Sequence, residues 1–186
     1  MFFKAKTLGG GRINPAFNEP GVYFVAAPNA ETAEKQIRTY GRTLGQTEIG
    51  HNFGYISSNS ALVPYLNVKA NLFIQGREHD LDILPRFMLD DPLFLGQNSR
   101  ALTPVGRLYV EFYRNVLGGK RYIVIADLLH AMTRATVNKL LTDFGETAQH
   151  LGISVLLFTS DDTLIRDHPG RAFAAAPELL ETDQAG

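Results

Sequence analysis

A short loop between a predicted strand and a predicted helix is the first place where this sequence could do chemistry. The apolar run at residues 22–26 predicts a buried strand, and a helix-compatible segment follows Ala27, Pro28 and Asn29. Asn29 suits the N-cap position, and Glu31 follows in the first turn, where the helix dipole favours an acid. The N-terminus of such a helix presents backbone N–H groups that can bind a phosphate. This loop is therefore the candidate phosphate site.

The side chains around this loop do not suit a nucleotide. A phosphate loop of the form G-x-x-x-x-G-K-[ST] uses glycines for close backbone approach, a lysine for the phosphates and a hydroxyl for Mg²⁺. Here the lysine position is Ala33, the hydroxyl position is Glu34, and Ala27 and Ala30 add Cβ atoms. Glu31 and Glu34 add two carboxylates, and like charges about 4 Å apart cost about 1–4 kcal/mol. The sequence therefore predicts no conventional ATP binding.

Four parts of the chain resemble the ATP-binding cassettes of ABC transporters, in the order that this family has them. Residues 27–35 keep Pro28 and Asn29 of the family's loop G-P-N-G-S-G-K-S-T. Residues 54–72 read G-Y-I-S-S-N-S-A-L-V-P-Y-L-N-V-K-A-N-L and resemble the family's G-Y-V-F-Q-x-x-A-L-F-P-x-L-T-V-x-E-N-I. The remaining two parts resemble the L-S-G-G-Q signature with its helix, at residues 102–114, and the Walker B strand with the strand that ends in T-H-D, at residues 123–127 and 153–161.

The resemblance covers residues 21–171 and narrows the expected fold. Strands that alternate with helices already predict an α/β fold with a mostly parallel sheet. The resemblance implies a P-loop-NTPase-like sheet flanked by helices, with a short helical subdomain at about residues 67–101 and a reduced N-terminal β region. In that region Gly9, Gly10 and Gly11 predict a flexible turn. We expect residues 1–186 to form a single domain of this kind.

Nearly every position that this family uses for hydrolysis holds a different residue type. The glutamine that contacts Mg²⁺ and the attacking water falls at Ser58, whose side chain is too short and has no amide. The catalytic glutamate falls at Leu128, which cannot polarise water. Only Asp127 matches, at the Walker B aspartate, and we interpret it as a structural or capping acid. The other changed positions are in the signature, at Pro104 and Val105, and at the switch histidine, Ser160.

Composition excludes several other kinds of site. The chain has 186 residues, no cysteine and a formal net charge of −1. Disulfides, thiol catalysis and Cys-ligated zinc are therefore excluded, and without a long basic block no nucleic-acid interface is indicated. The five histidines have no metal-binding spacing, so we predict no metal. No apolar run reaches the length of a membrane span, which predicts no membrane insertion and a cytoplasmic protein, peripheral to a membrane only through a partner.

The sequence thus predicts a catalytically inactive, cofactor-free pseudo-ATPase that acts through protein contacts. The expected partner is a transporter membrane subunit, an active cassette or a second copy of the chain. The alternatives are a residual ATP binder or slow ATPase that uses Lys35 and Asp127, and a self-associating protein unrelated to transport. One apolar run is either core under a surface loop or, as the resemblance implies, lies near the groove that receives a helix of the membrane subunit; its candidate contact residues are Val63, Pro64, Tyr65 and Leu66.

Overall fold

A five-stranded sheet lies at the centre of the protein. The computed structural model describes residues 13, 14, 17, 19–74 and 81–180. Every strand is parallel to its neighbours, in the order β2-β3-β4-β1-β5. The α/β prediction is confirmed, whereas the predicted Gly9–Gly11 turn is not among the described residues. The strands are β1 (Gly21–Ala26), β2 (Phe53–Ile56), β3 (Tyr122–Ile125), β4 (Ser154–Thr159) and β5 (Ala172–Phe173).

Helices cover both faces of this sheet. Short 3-10 turns accompany them, among them Glu48–Asn52 before β2 and Ser99–Ala101 before α5. None of the helices in the described ranges has the length and apolar character needed to span a membrane. The α-helices are α1 (Ala30–Leu44), α2 (Val68–Phe73), α3 (Arg86–Asp90), α4 (Pro92–Gly96), α5 (Pro104–Leu117), α6 (Arg134–Leu151) and α7 (Asp162–Asp167).

The connection from β1 to β2 runs against the direction of the later ones. It leads from the fourth position in the sheet to the first, while every later connection leads back the other way. Because such crossovers are right-handed, α1 lies on one face and α5, α6 and α7 lie on the other. The carboxyl ends of β1 and β4 therefore meet at a topological switch point, where α/β sheets commonly hold ligands.

The predicted strands agree closely with the observed ones. The apolar run at residues 53–56 is β2 itself, and the other three predicted strands are within one residue of β1, β3 and β4 at each end. Val25, Ile123 and Val155 are fully buried, as expected for a sheet that is covered on both faces. The short β5 strand and α7 were not predicted, because neither carries a long apolar pattern.

Helix α1 is longer than the sequence predicted. We expected it to stop at Gly41, but it continues to Leu44 and ends at Gly45. Leu44 is buried on the same helix face as Ile37 and Tyr40, so the extra turn adds to the core. A glycine inside a helix costs only about 1 kcal/mol relative to alanine, which this burial offsets.

The segment that follows β2 is less regular than predicted. We expected residues 67–94 to be helical in large part, but within the described ranges they form only short helices and turns. Pro85 precedes α3 with ψ 145°, so it starts a new helix rather than kinking one. Pro92 begins α4 in the same way. The assignment of residues 67–101 to a separate helical subdomain stays a prediction.

Helices α5 and α6 begin as their sequences predict. Thr103 accepts a hydrogen bond from the N–H of Gly106, and Thr133 accepts one from the N–H of Thr136. Gly152 ends α6 with φ 68°, a conformation that glycine adopts without strain. These caps fix both helices against the sheet face opposite α1.

Candidate functional site

Three loops meet at the carboxyl edge of the sheet because β4 lies between β3 and β1. The backbone N–H of Ala27, after β1, donates to the carbonyl of Thr159 at 2.9 Å. The N–H of Ser160, after β4, donates to Oδ2 of Asp127 at 3.2 Å. The candidate phosphate loop, the Walker B position and the switch position are therefore neighbours, as the sequence comparison implied.

The first turn of α1 is capped by its own side chain. Asn29 Oδ1 accepts hydrogen bonds from the N–H of Thr32 at 2.8 Å and from its hydroxyl at 3.0 Å. Ala33, at the lysine position of a phosphate loop, is fully buried, whereas Pro28 is exposed. One of the backbone donors that could face a phosphate is thus already paired within the chain.

Glu34 links α1 to the loop after β2. Its Oε1 accepts a hydrogen bond from the N–H of Ser58 at 2.5 Å. These two residues stand where the resemblance places the Mg²⁺-binding hydroxyl and the glutamine. In this chain the two positions are bonded directly to each other, through a carboxylate.

Asp127 is buried, with 1% of its surface exposed. Oδ2 accepts from Ser160, while Oδ1 has no hydrogen-bond partner within the described part of the chain. His130 Nδ1 lies 2.8 Å from the Asp127 carbonyl oxygen and 3.8 Å from Oδ1. The carboxylate therefore ties the β3 loop to the β4 loop, consistent with the structural role that we assigned to it.

Solved structures similar to this chain are ATP-binding cassettes. A dimeric cassette in a post-hydrolysis state, bound to ADP and Pi, matches 83% of this chain and 79% of its own length, with a TM-score of 0.60 and 15% identity. The chain has the fold of an ATP-binding cassette. No family model matches the sequence of this cassette-fold chain, and no curated protein does.

Two further structures bear on how such a cassette fold is used. Clostridium perfringens cbiO1, part of the ABC transporter complex cbiONQ, matches 76% of this chain and 67% of its own length, with a TM-score of 0.60 and 9% identity. An ATP-bound bacterial Atm1-family ABC exporter matches 80% of this chain over 30% of its own length, with a TM-score of 0.58 and 12% identity. At these identities the likeness establishes the fold alone.

Arg134 holds the turn after β3 against α7. The aspartate of the family's S-A-L-D turn falls at this arginine. Its Nη1 lies 3.3 Å from Asp161 Oδ2 and 2.8 Å from Thr163 Oγ1, and its Nη2 lies 2.8 Å from Asp167 Oδ2. Together with His130, Arg134 lines a cavity of about 340 Å³ beside the β4 loop. The turn is thereby bound to its own chain.

Asp161 provides a pH-dependent prediction for this part of the cassette fold. Hydrogen bonds from Thr163, with the nearby charge of Arg134, hold the pKa of Asp161 below its usual value. Its stabilising contribution is present above the unfolded-state value of 3.8 and is lost as the pH falls through the lower folded-state pKa. We expect Asp161→Asn to lower stability at neutral pH, with a difference from wild type that shrinks below about pH 4. Urea unfolding across this range measures it; Asp162→Asn is the control, and a constant difference would contradict it.

The structure divides the candidate contact residues by exposure. Pro64 and Tyr65 are exposed, Tyr65 at 76%, while Val63 and Leu66 are partly buried. Leu62 just before them belongs to the core. The run is thus neither wholly core nor wholly surface, and its role in partner contact stays a prediction.

Sequence reasoning missed a second exposed apolar residue in the same part of the chain. Leu93 on α4 is 80% exposed. The segment after α4 pairs with the contact residues, since the N–H of Ser99 donates to the Leu66 carbonyl at 3.2 Å. Leu93 is one turn before the end of α4, and isolated apolar residues in short helices give no periodic signal.

A buried charged pair on α5 was also missed as a functional feature. Glu111 and Arg114 both lie on the buried side of this helix, with 3% and 6% of their surface exposed. Burial raises the pKa of Glu111, and the nearby Arg114 opposes that rise. Glu111 also lines a cavity of about 170 Å³ with Ser58 and Leu128. Two charged positions inside an otherwise apolar helix face were the available signal.

The titratable residues of the described ranges form no metal site. No group of three histidine, aspartate or glutamate side chains there is arranged to hold a metal ion. Asp127 and His130 are one such pair of neighbours, but they lack a third ligand. The arrangement at the carboxyl edge therefore offers hydrogen bonds that join loops to one another.

Proposed function

We propose that this chain is a catalytically inactive cassette-like protein that acts through protein contacts, as a scaffold or regulator of an ABC transporter complex. The hydrogen bond between Glu34 and Ser58 carries this proposal. It places a carboxylate, engaged by its own chain, between the two positions that an active cassette uses for Mg²⁺. A carboxylate there repels phosphate oxygens, and Ala33 supplies no positive charge to offset it.

Two further features of the carboxyl edge support an inactive protein. Leu128 stands beside Asp127 where hydrolysis needs a carboxylate, and it is partly buried and apolar. Pro104 at the first position of α5 has no N–H to offer to a phosphate. A partner's nucleotide would thus gain little from this chain's signature position.

The partner follows from the fold and from the exposed contact residues. A cassette that has lost its chemistry can still dock through its surface, and Tyr65 is an exposed aromatic of the kind that anchors interfaces. We propose a transporter membrane subunit as the partner, with the chain at the cytoplasmic side of the membrane and attached only through that subunit. Pairing with an active cassette or with itself are the other outcomes of the test below.

Calorimetric titration with Mg·ATP up to millimolar concentration tests the missing chemistry. We expect no saturable heat and no rise in the unfolding temperature, because a ligand at 100 times its Kd would stabilise the protein by about 2.7 kcal/mol. The variant Ala33→Lys/Glu34→Ser, which restores both side chains, should bind Mg·ATP more tightly than the parent. Saturable binding by the parent chain would contradict the proposal and favour a residual ATP binder.

Deletion of the gene tests the scaffold role separately. We expect one ABC transporter complex to lose assembly or activity in the deletion strain, and the full-length chain to restore it. The Ala33→Lys/Glu34→Ser variant should restore it equally, since ATP binding is not what the complex requires. Unchanged assembly and transport in the deletion strain would refute the scaffold role.

A further inference from the structure

The contact loop, residues 60–67, is held at its start by a buried carboxylate. Oε1 of Glu111 accepts hydrogen bonds from the Ser60 hydroxyl and from the N–H of Ala61, the latter at 3.1 Å. Arg114 Nη1 donates to the Ala61 carbonyl at 2.8 Å. Two buried residues of α5 thus fix both polar groups of one loop peptide.

The middle and the end of the contact loop are held by Asn71, which is fully buried on α2. Its Oδ1 accepts from the N–H of Val63 at 2.7 Å, and its Nδ2 donates to the carbonyls of Val63 at 3.0 Å and Leu66 at 3.4 Å. The Ser99 hydroxyl also donates to the Val63 carbonyl, at 2.9 Å. Side chains from three elements therefore replace the hydrogen bonds that a surface loop usually makes to water.

Only the tip of the contact loop is left without such restraints. Pro64 and Tyr65 are exposed, while residues on either side of them are tied to Asn71. A tyrosine on a fixed backbone has few rotatable bonds to order when it binds, so little conformational entropy is lost on association. Buried polar groups of this number are costly to arrange, and a rigid tip is what they provide.

We propose that Glu111 and Asn71 are positioning residues for partner recognition, and that Tyr65 is the residue that contacts the partner. This inference rests on the proposed function, because it takes the membrane subunit as the partner. Neither positioning residue reaches the surface, so each acts through the loop backbone. Loss of either restraint should weaken partner binding tenfold or more, although the contacting side chain is unchanged.

The loop itself can be tested without any partner. We expect the backbone N–H groups of Ala61 and Val63 to exchange with deuterium at least tenfold more slowly than that of the exposed Asn59, measured by NMR on the full chain. Glu111→Ala and Asn71→Ala should remove this protection at Ala61 and Val63 respectively. Glu111→Gln retains an acceptor oxygen and should preserve it. Fast exchange at both amides in the wild-type protein would overturn the proposal.

The binding arm uses the tagged full-length chain and detergent-solubilised membranes of the host. The readout is the amount of transporter membrane subunit recovered with the chain. We expect recovery to fall at least tenfold for Tyr65→Ala, Glu111→Ala and Asn71→Ala, and to be retained by Glu111→Gln and by the control Lys69→Ala, an exposed residue on α2. Circular dichroism identifies any variant that fails to fold, in which case Asn71→Asp, which keeps the shape but removes the Nδ2 donor, takes its place.

The outcomes separate the two proposals. Loss of binding with Tyr65→Ala but full binding with Glu111→Ala and Asn71→Ala would refute the positioning role and leave the proposed function standing. Full binding with Tyr65→Ala would refute this contact assignment. If the wild-type chain recovers no membrane subunit, the proposed function fails, and protected amides at Ala61 and Val63 would then support only the rigid loop.

Discussion

Replacing Phe144 by alanine is expected to lower the free energy of unfolding by about 3–5 kcal/mol. Phe144 lies on α6 with 1% of its surface exposed. Its ring stacks on Phe112 at a centroid distance of 3.9 Å and meets the edge of Tyr109 at 5.6 Å. The alanine variant therefore loses both ring contacts and leaves a cavity between α5 and α6. Equilibrium unfolding in urea, monitored by circular dichroism, measures the change.

A matched substitution on the same helix makes this result interpretable. Gln149 is exposed on α6, and Gln149→Ala should change stability by less than about 0.5 kcal/mol. Single domains are stable by only about 5–15 kcal/mol, so the Phe144 variant should be visibly less soluble or partly unfolded at growth temperature. A loss below about 1 kcal/mol would mean that α5 and α6 repack freely.

The sheet and its caps could be predicted from the sequence because their signals are local. A strand buried on both faces needs an unbroken apolar run, which β2 and β4 both have. Thr103 with Pro104 announces a helix start within two residues. The segment after β2 lacked such signals, since short helices separated by Pro85 have no room for a periodic pattern.

The candidate site was predicted only in part, since its decisive contacts are between distant positions. The sequence located the loop at Asn29 and its changed side chains. It could not show that Glu34 bonds to Ser58, because those residues are 24 positions apart and meet only once β2 joins the sheet. In the same way, Glu111 meets Ala61 across 50 positions, so nothing in either local pattern predicts a rigid contact loop.

Replacing Arg114 by leucine is expected to destabilise the protein by about 3 kcal/mol at pH 7, because it leaves the buried carboxylate of Glu111 without its neighbouring cation. The hydrogen bond from Arg114 to the Ala61 carbonyl is lost as well. Burial already raises the pKa of Glu111 above 4.5, and removal of the arginine should raise that pKa further.

The sign of the pH dependence distinguishes this electrostatic cause from a simple loss of packing. A carboxyl whose pKa is higher in the folded state than in the unfolded state favours folding most at low pH, and that advantage disappears as the pH rises through the folded-state pKa. The defect of Arg114→Leu should therefore be small near pH 4 and grow towards pH 7. The double variant Glu111→Gln/Arg114→Leu has no carboxylate to leave unpaired, so it should be more stable than Arg114→Leu at pH 7 and nearly independent of pH at this site. A defect of equal size at both pH values, or a double variant that is less stable than either single one, would show that Arg114 acts through packing and through Ala61 alone. Because the same pair fixes the start of the contact loop, the pH at which Arg114→Leu loses stability should also be the pH at which the amide of Ala61 loses its protection from exchange.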